Sequence, residues 1–204
     1  MFESDTNEEL LDYIKSSEIF ESSKNVTELI HNNIQYLNGN LSSTCYTLGP
    51  IKSETYGILE KLIDLNELGF ITVKSYNGMK DSITCYNKSH TNKQRSYLRG
   101  LIKKSDYDKL QHLDLNEFIL VKHNQINHLH YTNILNEDLW IQTCNCEHFY
   151  VKNIEQSENS FECFSNCKNI YNKLIEDYYD VSILDVKFSR PYFLFDKVVK
   201  ILHS

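Results

Sequence analysis

The feature that most constrains this fold is a helical apolar stripe that runs directly into a short apolar strand. Apolar residues recur at helical spacing over residues 58–65, and Ser53 before them can cap a helix. Gly69 stands where the end of a helix favours a left-handed residue. Residues 70–74, Phe-Ile-Thr-Val-Lys, are typical of a buried strand. The chain must therefore pack a helix against a sheet.

A long polar segment, residues 75–91, separates this strand from another predicted helix. Asn92 can cap that helix, and Tyr97, Leu98, Leu101 and Ile102 would form its apolar side. Loops of this length are uncommon inside compact domains, and they often carry function. The stretch from Glu54 to Gly100 therefore predicts helix, strand, loop and helix, and it is where a site is expected.

The rest of the chain supplies further helices and strands. A capping box at Thr6 and Glu9 predicts a short first helix, and Pro191 suits the first turn of a closing helix. Helices are also predicted at residues 26–37 and 163–178, and strands at 118–121, 128–134, 140–143, 149–154 and 181–188. The predicted fold is an α/β or α+β single domain over residues 1–204, with a mixed sheet and peripheral helices. Residues 1–40 could form a helical N-terminal appendage.

Composition narrows the function classes. The net charge of −7 disfavours non-specific nucleic-acid binding, which requires a basic surface. The chain begins MFESDTNEELLDYI, which lacks a signal-peptide pattern, and no window approaches about 18 uninterrupted apolar residues. We therefore expect a soluble protein with no membrane partner, in the cytoplasm or, if the protein is viral, in the host cytoplasm or the virion. The six cysteines are then expected to be reduced.

The three arginines, Arg95, Arg99 and Arg190, stand out because lysine supplies nearly all the basic charge. The abundance of Asn, Lys, Ile and Tyr indicates an AT-rich genome, such as that of a giant DNA virus. Lysine does not replace arginine where a planar fork must bind an anion through two hydrogen bonds. The arginines are therefore candidate anion ligands, and the alternative is that they are ordinary surface charges.

Short motifs in the Glu54–Gly100 stretch form an ordered series. They are Glu54-Thr55, Leu65-Asn66, Gly69-Phe70, Thr72, Ser75, Gln94-Arg95, Tyr97 and Gly100. This series resembles an uncharacterised domain family of actinobacteria, their phages and giant viruses, with an ET…LN..GF.T..SQPG…QR signature. Tyr76-Asn77-Gly78 departs from Gln-Pro-Gly, and Ser189-Arg190 stands where the family has Gly-Arg. The family has no assigned activity, so the resemblance implies an α/β fold and marks positions without naming a reaction.

The first candidate site lies where the predicted strand ends and the predicted Asn92 helix begins. Thr72 and Ser75 would offer hydroxyls, and the helix N-terminus would offer free N–H groups to an anion. Gln94 would lie in the first turn of that helix, and Arg95 and Arg99, one turn apart, would hold the anion. Glu54 would orient an arginine or act as a general base, and Arg190 would be a further ligand. The alternative is that Arg95 pairs with Glu54 and that the hydroxyls cap turns.

The second candidate site is a zinc site. Cysteine and histidine are good zinc ligands, and a hairpin followed by a helix could bring the five candidates together. These candidates are Cys144, Cys146, His148, Cys163 and Cys167. The spacing lacks the paired C-x-x-C of standard fingers, and free cysteine is also a common buried residue.

Two functional hypotheses follow. The first is a viral or accessory protein that binds, and could process, a small anionic ligand of nucleotide type. The second is a non-enzymatic module that interacts with a host protein and is stabilised by zinc. The chain carries neither a Walker loop nor a G-x-G-x-x-G motif, so a standard nucleotide-binding fold is not indicated.

Overall fold

The computed structural model describes residues 7–78, 80–85, 88–93, 95–123, 130–131, 160–188 and 190–204. The helices are α1 (Asn7–Glu21), α2 (Val26–Leu37), α3 (Leu59–Glu67), α4 (Tyr107–Leu110), α5 (Tyr171–Asp177) and α6 (Phe193–His203), with 3-10 turns at Ser53–Ile58 and Glu162–Phe164. The strands are β1 (Ile71–Asn77), β2 (Lys80–Cys85), β3 (Lys88–Lys93), β4 (Arg95–Lys103), β5 (Phe118–His123), β6 (His130–Tyr131) and β7 (Tyr178–Phe188).

The main sheet has five strands in the order β1-β4-β7-β5-β6, and β2 and β3 form a separate hairpin. The predicted fold class is confirmed, because helices and a sheet make up one domain. Every pairing among the described strands is antiparallel, where a mixed sheet was expected. Within the predicted class, the fold is therefore of the α+β kind.

The junction of α3 and β1 forms as predicted. Gly69 has a φ of 86°, and the Phe70 amide donates to the Leu65 carbonyl at 2.9 Å, which closes the helix. Phe70 is fully buried beneath α3. Upstream, the predicted helix is split, because residues 53–58 form a 3-10 turn; its N-cap is Lys52, where Ser53 was predicted.

The predicted loop over residues 75–91 and the predicted Asn92 helix are both wrong. Residues 80–93 contain the β2–β3 hairpin, and residues 95–103 form the interior strand β4. Leu98 and Ile102 belong to one hydrophobic core and Leu101 to another, on opposite sides of the sheet. An interior strand that is buried on both sides carries nearly continuous apolar residues, and over a short run these also satisfy helical spacing.

Two hydrophobic cores lie on the two sides of the sheet. One is formed with α3, α4 and α6, and the other with α1, α2 and the segment 161–175. Phe20 of α1 and Leu29 of α2 are fully buried in the second core, beside Ile71 of β1. α1 and α2 therefore pack into this core, although the sequence left a helical appendage over residues 1–40 open.

The C-terminal half agrees with the expectations in part. The helix predicted over 163–178 is shorter, a 3-10 turn followed by α5, and β7 begins at Tyr178. Of the strand predicted at 128–134, His130–Tyr131 is described as β6, and the strands predicted at 140–143 and 149–154 lie outside the described residues. Among the helices described, none combines the length and apolar character needed to cross a bilayer.

Candidate functional site

A cavity of about 310 Å³ opens beside the edge strand β1. Its walls come from α2, from residues 46–55 and from residues 72–76, so that Thr72 and Ser75, both predicted site residues, lie in its lining. The volume is at the lower end of the range typical of small-molecule sites. We refer to it below as the β1 cavity.

The floor of the β1 cavity is a buried hydrogen-bond network around Thr72. The register of β1 against β4 shifts between Thr72 and Lys74, which is a β-bulge. The carbonyl of Thr72 accepts from Asn33 Nδ2 at 3.2 Å and from the Tyr46 hydroxyl at 3.1 Å. Asn66 Nδ2 donates to Thr72 Oγ1 at 2.8 Å, and Asn66 Oδ1 accepts from Asn33 at 2.8 Å. These amides satisfy the polar groups that the bulge brings into the interior.

Burial raises the pKa of Tyr46 well above its usual range, with smaller contributions from Cys45 and Cys163. The phenol is therefore neutral at physiological pH and acts as the hydrogen-bond donor in this network. Its ring also packs edge-on against Phe164, at 5.4 Å between centroids. Tyr46 thus ties the wall of the cavity to both β1 and the second core.

The outer wall of the cavity, residues 44–50, is a compact turn. Thr44 Oγ1 accepts from the amides of Tyr46 and Thr47, at 3.2 and 2.9 Å. Tyr36 of α2 donates its hydroxyl to the carbonyl of Gly49 at 3.3 Å. Because the turn is fastened to itself and to α2, the wall is preorganised.

Two lysines bring positive charge to the cavity. Lys52 and Lys74 are both exposed side chains in its lining, and Lys74 Nζ lies 5.9 Å from the centre of the Tyr76 ring. None of the described lining residues is acidic. In a chain with a net charge of −7, this is a locally cationic opening next to hydroxyl groups.

The predicted arginines do not line this cavity. Arg99 pairs with Asp180, with 2.9 Å between Nη2 and Oδ2, and the two side chains are 6% and 1% exposed. Arg190 binds Asp185, and its Nη1 lies 3.0 Å from Glu117 Oε1. Both guanidinium forks are therefore occupied by carboxylates of the same chain.

Arg95 begins β4 and faces Phe188 of β7 in the register. The expected anion site at a helix N-terminus is therefore not formed there, because Arg95 lies in a strand whose amides pair with neighbouring strands. Gln94 and the side chain of Glu54 lie outside the described residues.

The predicted zinc ligands are divided in the same way. Cys144, Cys146 and His148 lie outside the described residues. Cys163 lines the β1 cavity, and Cys167 is buried in the second core beside Cys45. In the part of the chain that the structure describes, no group of three or more His, Cys, Asp or Glu residues is arranged to hold a metal ion.

Sequence reasoning missed the lysines and the amides of the site. Lys52 and Lys74 carry no signal in a lysine-rich chain. Asn33 and Asn66 do carry one, because each interrupts the buried side of an amphipathic helix, where an amide is retained only with hydrogen-bond partners.

A second polar cluster lies on the main sheet. His123 Nε2 is 2.8 Å from Ser182 Oγ, which is 3.2 Å from the Tyr97 hydroxyl. Burial lowers the pKa of His123, an effect that Asp180 opposes and Arg99 reinforces. Burial also raises the pKa of Tyr97. The folded protein therefore holds a neutral histidine within a neutral hydrogen-bonded chain.

This arrangement predicts an acid-sensitive contribution to stability. Because the pKa of His123 is lower when folded than when unfolded, the folded state binds fewer protons between the two values. Its contribution is fully present above about pH 6.5, the usual histidine value, and is lost as pH falls toward the lowered folded pKa. We expect the His123→Gln variant to show a weaker fall in Tm from pH 7.5 to 5.5 than the parent protein. The exposed His112→Gln variant serves as the control and keeps the parental profile; identical profiles for the parent and His123→Gln would contradict the assignment.

Comparison with known proteins adds one match. A family model described as a domain of unknown function (DUF6919) matches residues 16–204. This range includes every described residue that lines the β1 cavity. No curated protein matches the chain.

Proposed function

The chain belongs to the family described as a domain of unknown function (DUF6919), and from that premise we propose that it binds a small anionic ligand of nucleotide type in the β1 cavity. The observation that carries the proposal is that Lys52, Lys74 and the hydroxyl-bearing residues Thr55 and Ser75 all line one cavity, in which no described lining residue is acidic. The described lining contains no carboxylate or histidine suited to acid–base chemistry, so the proposal is for binding.

The anionic part of the ligand would lie between the two lysines. An ammonium group is a compact charge that binds phosphate oxygens through charge-assisted hydrogen bonds. Hydroxyls of Ser75 and Thr55, which also line the cavity, can donate to the same oxygens. A phosphate or a similar anion suits this set of donors better than a neutral ligand does.

The aromatic part of the ligand would contact tyrosine rings. Tyr36 and Tyr76 both line the cavity, and a purine or pyrimidine packs well on a phenol ring. Burial raises the pKa of Tyr36, so its hydroxyl stays protonated and keeps its hydrogen bond to the Gly49 carbonyl, which holds the ring in place. The abundance of Asn, Lys, Ile and Tyr, which AT-rich codons encode, is the basis for proposing that this is an accessory protein of a giant virus.

The test is calorimetric titration with adenosine monophosphate and with inorganic phosphate. We expect Lys52→Ala and Lys74→Ala each to weaken binding by roughly tenfold, the effect of losing one hydrogen bond to a charged group. Lys200→Ala is the matched control, because it removes the same charge from an exposed position on α6 that does not line the cavity. Binding that is absent in the parent protein, or equally weak in all three variants, would refute the proposal and favour the host-protein module.

A further inference from the structure

Three cysteines of the described chain lie at one place behind the wall of the β1 cavity. Cys45 Sγ is 3.7 Å from Cys167 Sγ, although the two residues are 122 positions apart in sequence. Cys45 Sγ also lies 3.4 Å from the carbonyl oxygen of Cys163. Cys45 is partly exposed and Cys167 is buried, and neither forms a disulfide with another described residue.

We propose that Cys45 and Cys167 form a reversible disulfide that locks residues 44–50 onto the segment after Phe164. A disulfide requires an S–S separation of about 2.05 Å, and the two sulfurs are 3.7 Å apart. A change of rotamer at one cysteine moves its sulfur by more than this difference, so the bond can form without moving the backbone far. Cys45 leads directly into Tyr46 and Thr47, which line the cavity, so the bond forms immediately behind that wall. The inference concerns the thiols and is independent of what the cavity binds.

The reaction balances with a hydroperoxide as oxidant. Cys45, the more exposed of the two residues, attacks the peroxide oxygen as a thiolate. The O–O bond breaks and Cys45 becomes a sulfenic acid, while the leaving hydroxide or alkoxide takes up the proton that the thiol released and gives water or an alcohol. The thiolate of Cys167 then attacks the sulfur of Cys45, and the displaced hydroxide takes up a proton to give water. Two thiols lose two electrons and two protons, and the peroxide is reduced.

The electrostatics of the pair favour the second step and slow the first. The hydrogen bond between the two thiols lowers the pKa of Cys167, an effect that burial opposes, so Cys167 is the thiolate suited to the second step. The same hydrogen bond raises the pKa of Cys45. Because the first step needs the Cys45 thiolate, we expect oxidation to become faster as the pH rises.

The disulfide also predicts a change in stability. It would close a very long loop, which restricts the unfolded chain more than a short loop does. We expect oxidation to raise the Tm by an amount on the order of 5 °C, and dithiothreitol to reverse the rise.

The experiment treats the full chain with hydrogen peroxide, blocks the remaining thiols with N-ethylmaleimide and maps peptides without reduction. The expected product is a Cys45–Cys167 peptide, with the matching rise in Tm, in both the parent protein and Cys163→Ser. Cys45→Ser, at the partly exposed position, should show neither. A Cys45–Cys163 linkage, a linkage to any other cysteine in place of Cys167, or an unchanged Tm would overturn the proposal. Peptide mapping needs no ligand, so its result is separate from that of the titrations.

Discussion

Replacing Gly100 with alanine is expected to destabilise the protein by at least about 3 kcal/mol, at the upper end of what overpacking costs. A Cβ atom at this position would lie 2.1 Å from the carbonyl oxygen of Ile71 and 2.7 Å from Cε1 of Phe70. The oxygen belongs to the backbone of the neighbouring strand, and Phe70 is fully buried, so neither can easily move away. Denaturation by urea, followed by circular dichroism, measures the loss.

Gly39→Ala is the matched control for Gly100→Ala. Gly39 has a φ of +76°, and nothing lies within 4 Å of an added Cβ, so the cost there is backbone strain alone, about 1 kcal/mol. If Gly100→Ala is no more destabilising than Gly39→Ala, the close approach of β1 and β4 is incorrect. Gly100 also belongs to the motif series that resembles a known family, and its steric role supplies a structural reason for glycine there.

Asp180→Ala is expected to cost roughly 3–5 kcal/mol, because it leaves the buried guanidinium of Arg99 without its carboxylate. Only 6% of the Arg99 side chain is exposed, so water cannot replace the lost partner. Asp180 also accepts from the amide and the hydroxyl of Ser160, at 2.8 and 2.7 Å. The substitution therefore breaks the ion pair and the anchor of residue 160 together.

Two further variants make this prediction specific. Asp177→Ala removes the carboxylate of the exposed Lys173–Asp177 pair, and we expect it to cost less than about 0.5 kcal/mol. Adding Arg99→Leu to Asp180→Ala should recover part of the lost stability, because it removes the uncompensated charge. Equal urea midpoints for Asp180→Ala and Asp177→Ala would show that the Arg99 pair is not buried as described.

The small number of arginines pointed to special positions but not to the partner that each arginine binds. Their scarcity indicated special positions, and the structure supports this for Arg99 and Arg190, which are each held by carboxylates. Arginine suits these positions because its planar guanidinium group forms several hydrogen bonds at once where solvent is partly excluded. That geometry serves internal ion pairs as well as it serves ligands, so the residue type alone could not separate the two uses.

The zinc prediction and the disulfide proposal involve overlapping residues. The sequence predicts Cys163 and Cys167 as zinc ligands because a hairpin followed by a helix could bring them near residues 144–148. Within the described residues, Cys167 lies next to Cys45, a residue that sequence spacing did not connect to it. Such a pairing depends on how α1, the 44–50 turn and the 160–170 segment pack, and no local pattern records that packing.

The sequence alone determined the features that depend on interactions between residues close together in the chain. The bounds of α2, the left-handed Gly69 and the strand that begins after Phe70 all follow from periodicity and from the freedom of glycine at positive φ. The fold class followed in turn, because an amphipathic helix joined to an apolar strand must bury both against one core.

Only the tertiary structure decided the rest. The apolar residues between Tyr97 and Ile102 suit a helix or an interior strand equally, and pairing with β1 and β7 selected the strand. The cavity floor joins Asn33, Asn66 and Thr72 across three elements, and the cationic opening depends on where two ordinary lysines fall. These features depend on contacts between segments that are distant in sequence. Such contacts stabilise the protein only after the chain has folded, so no local sequence pattern predicts them.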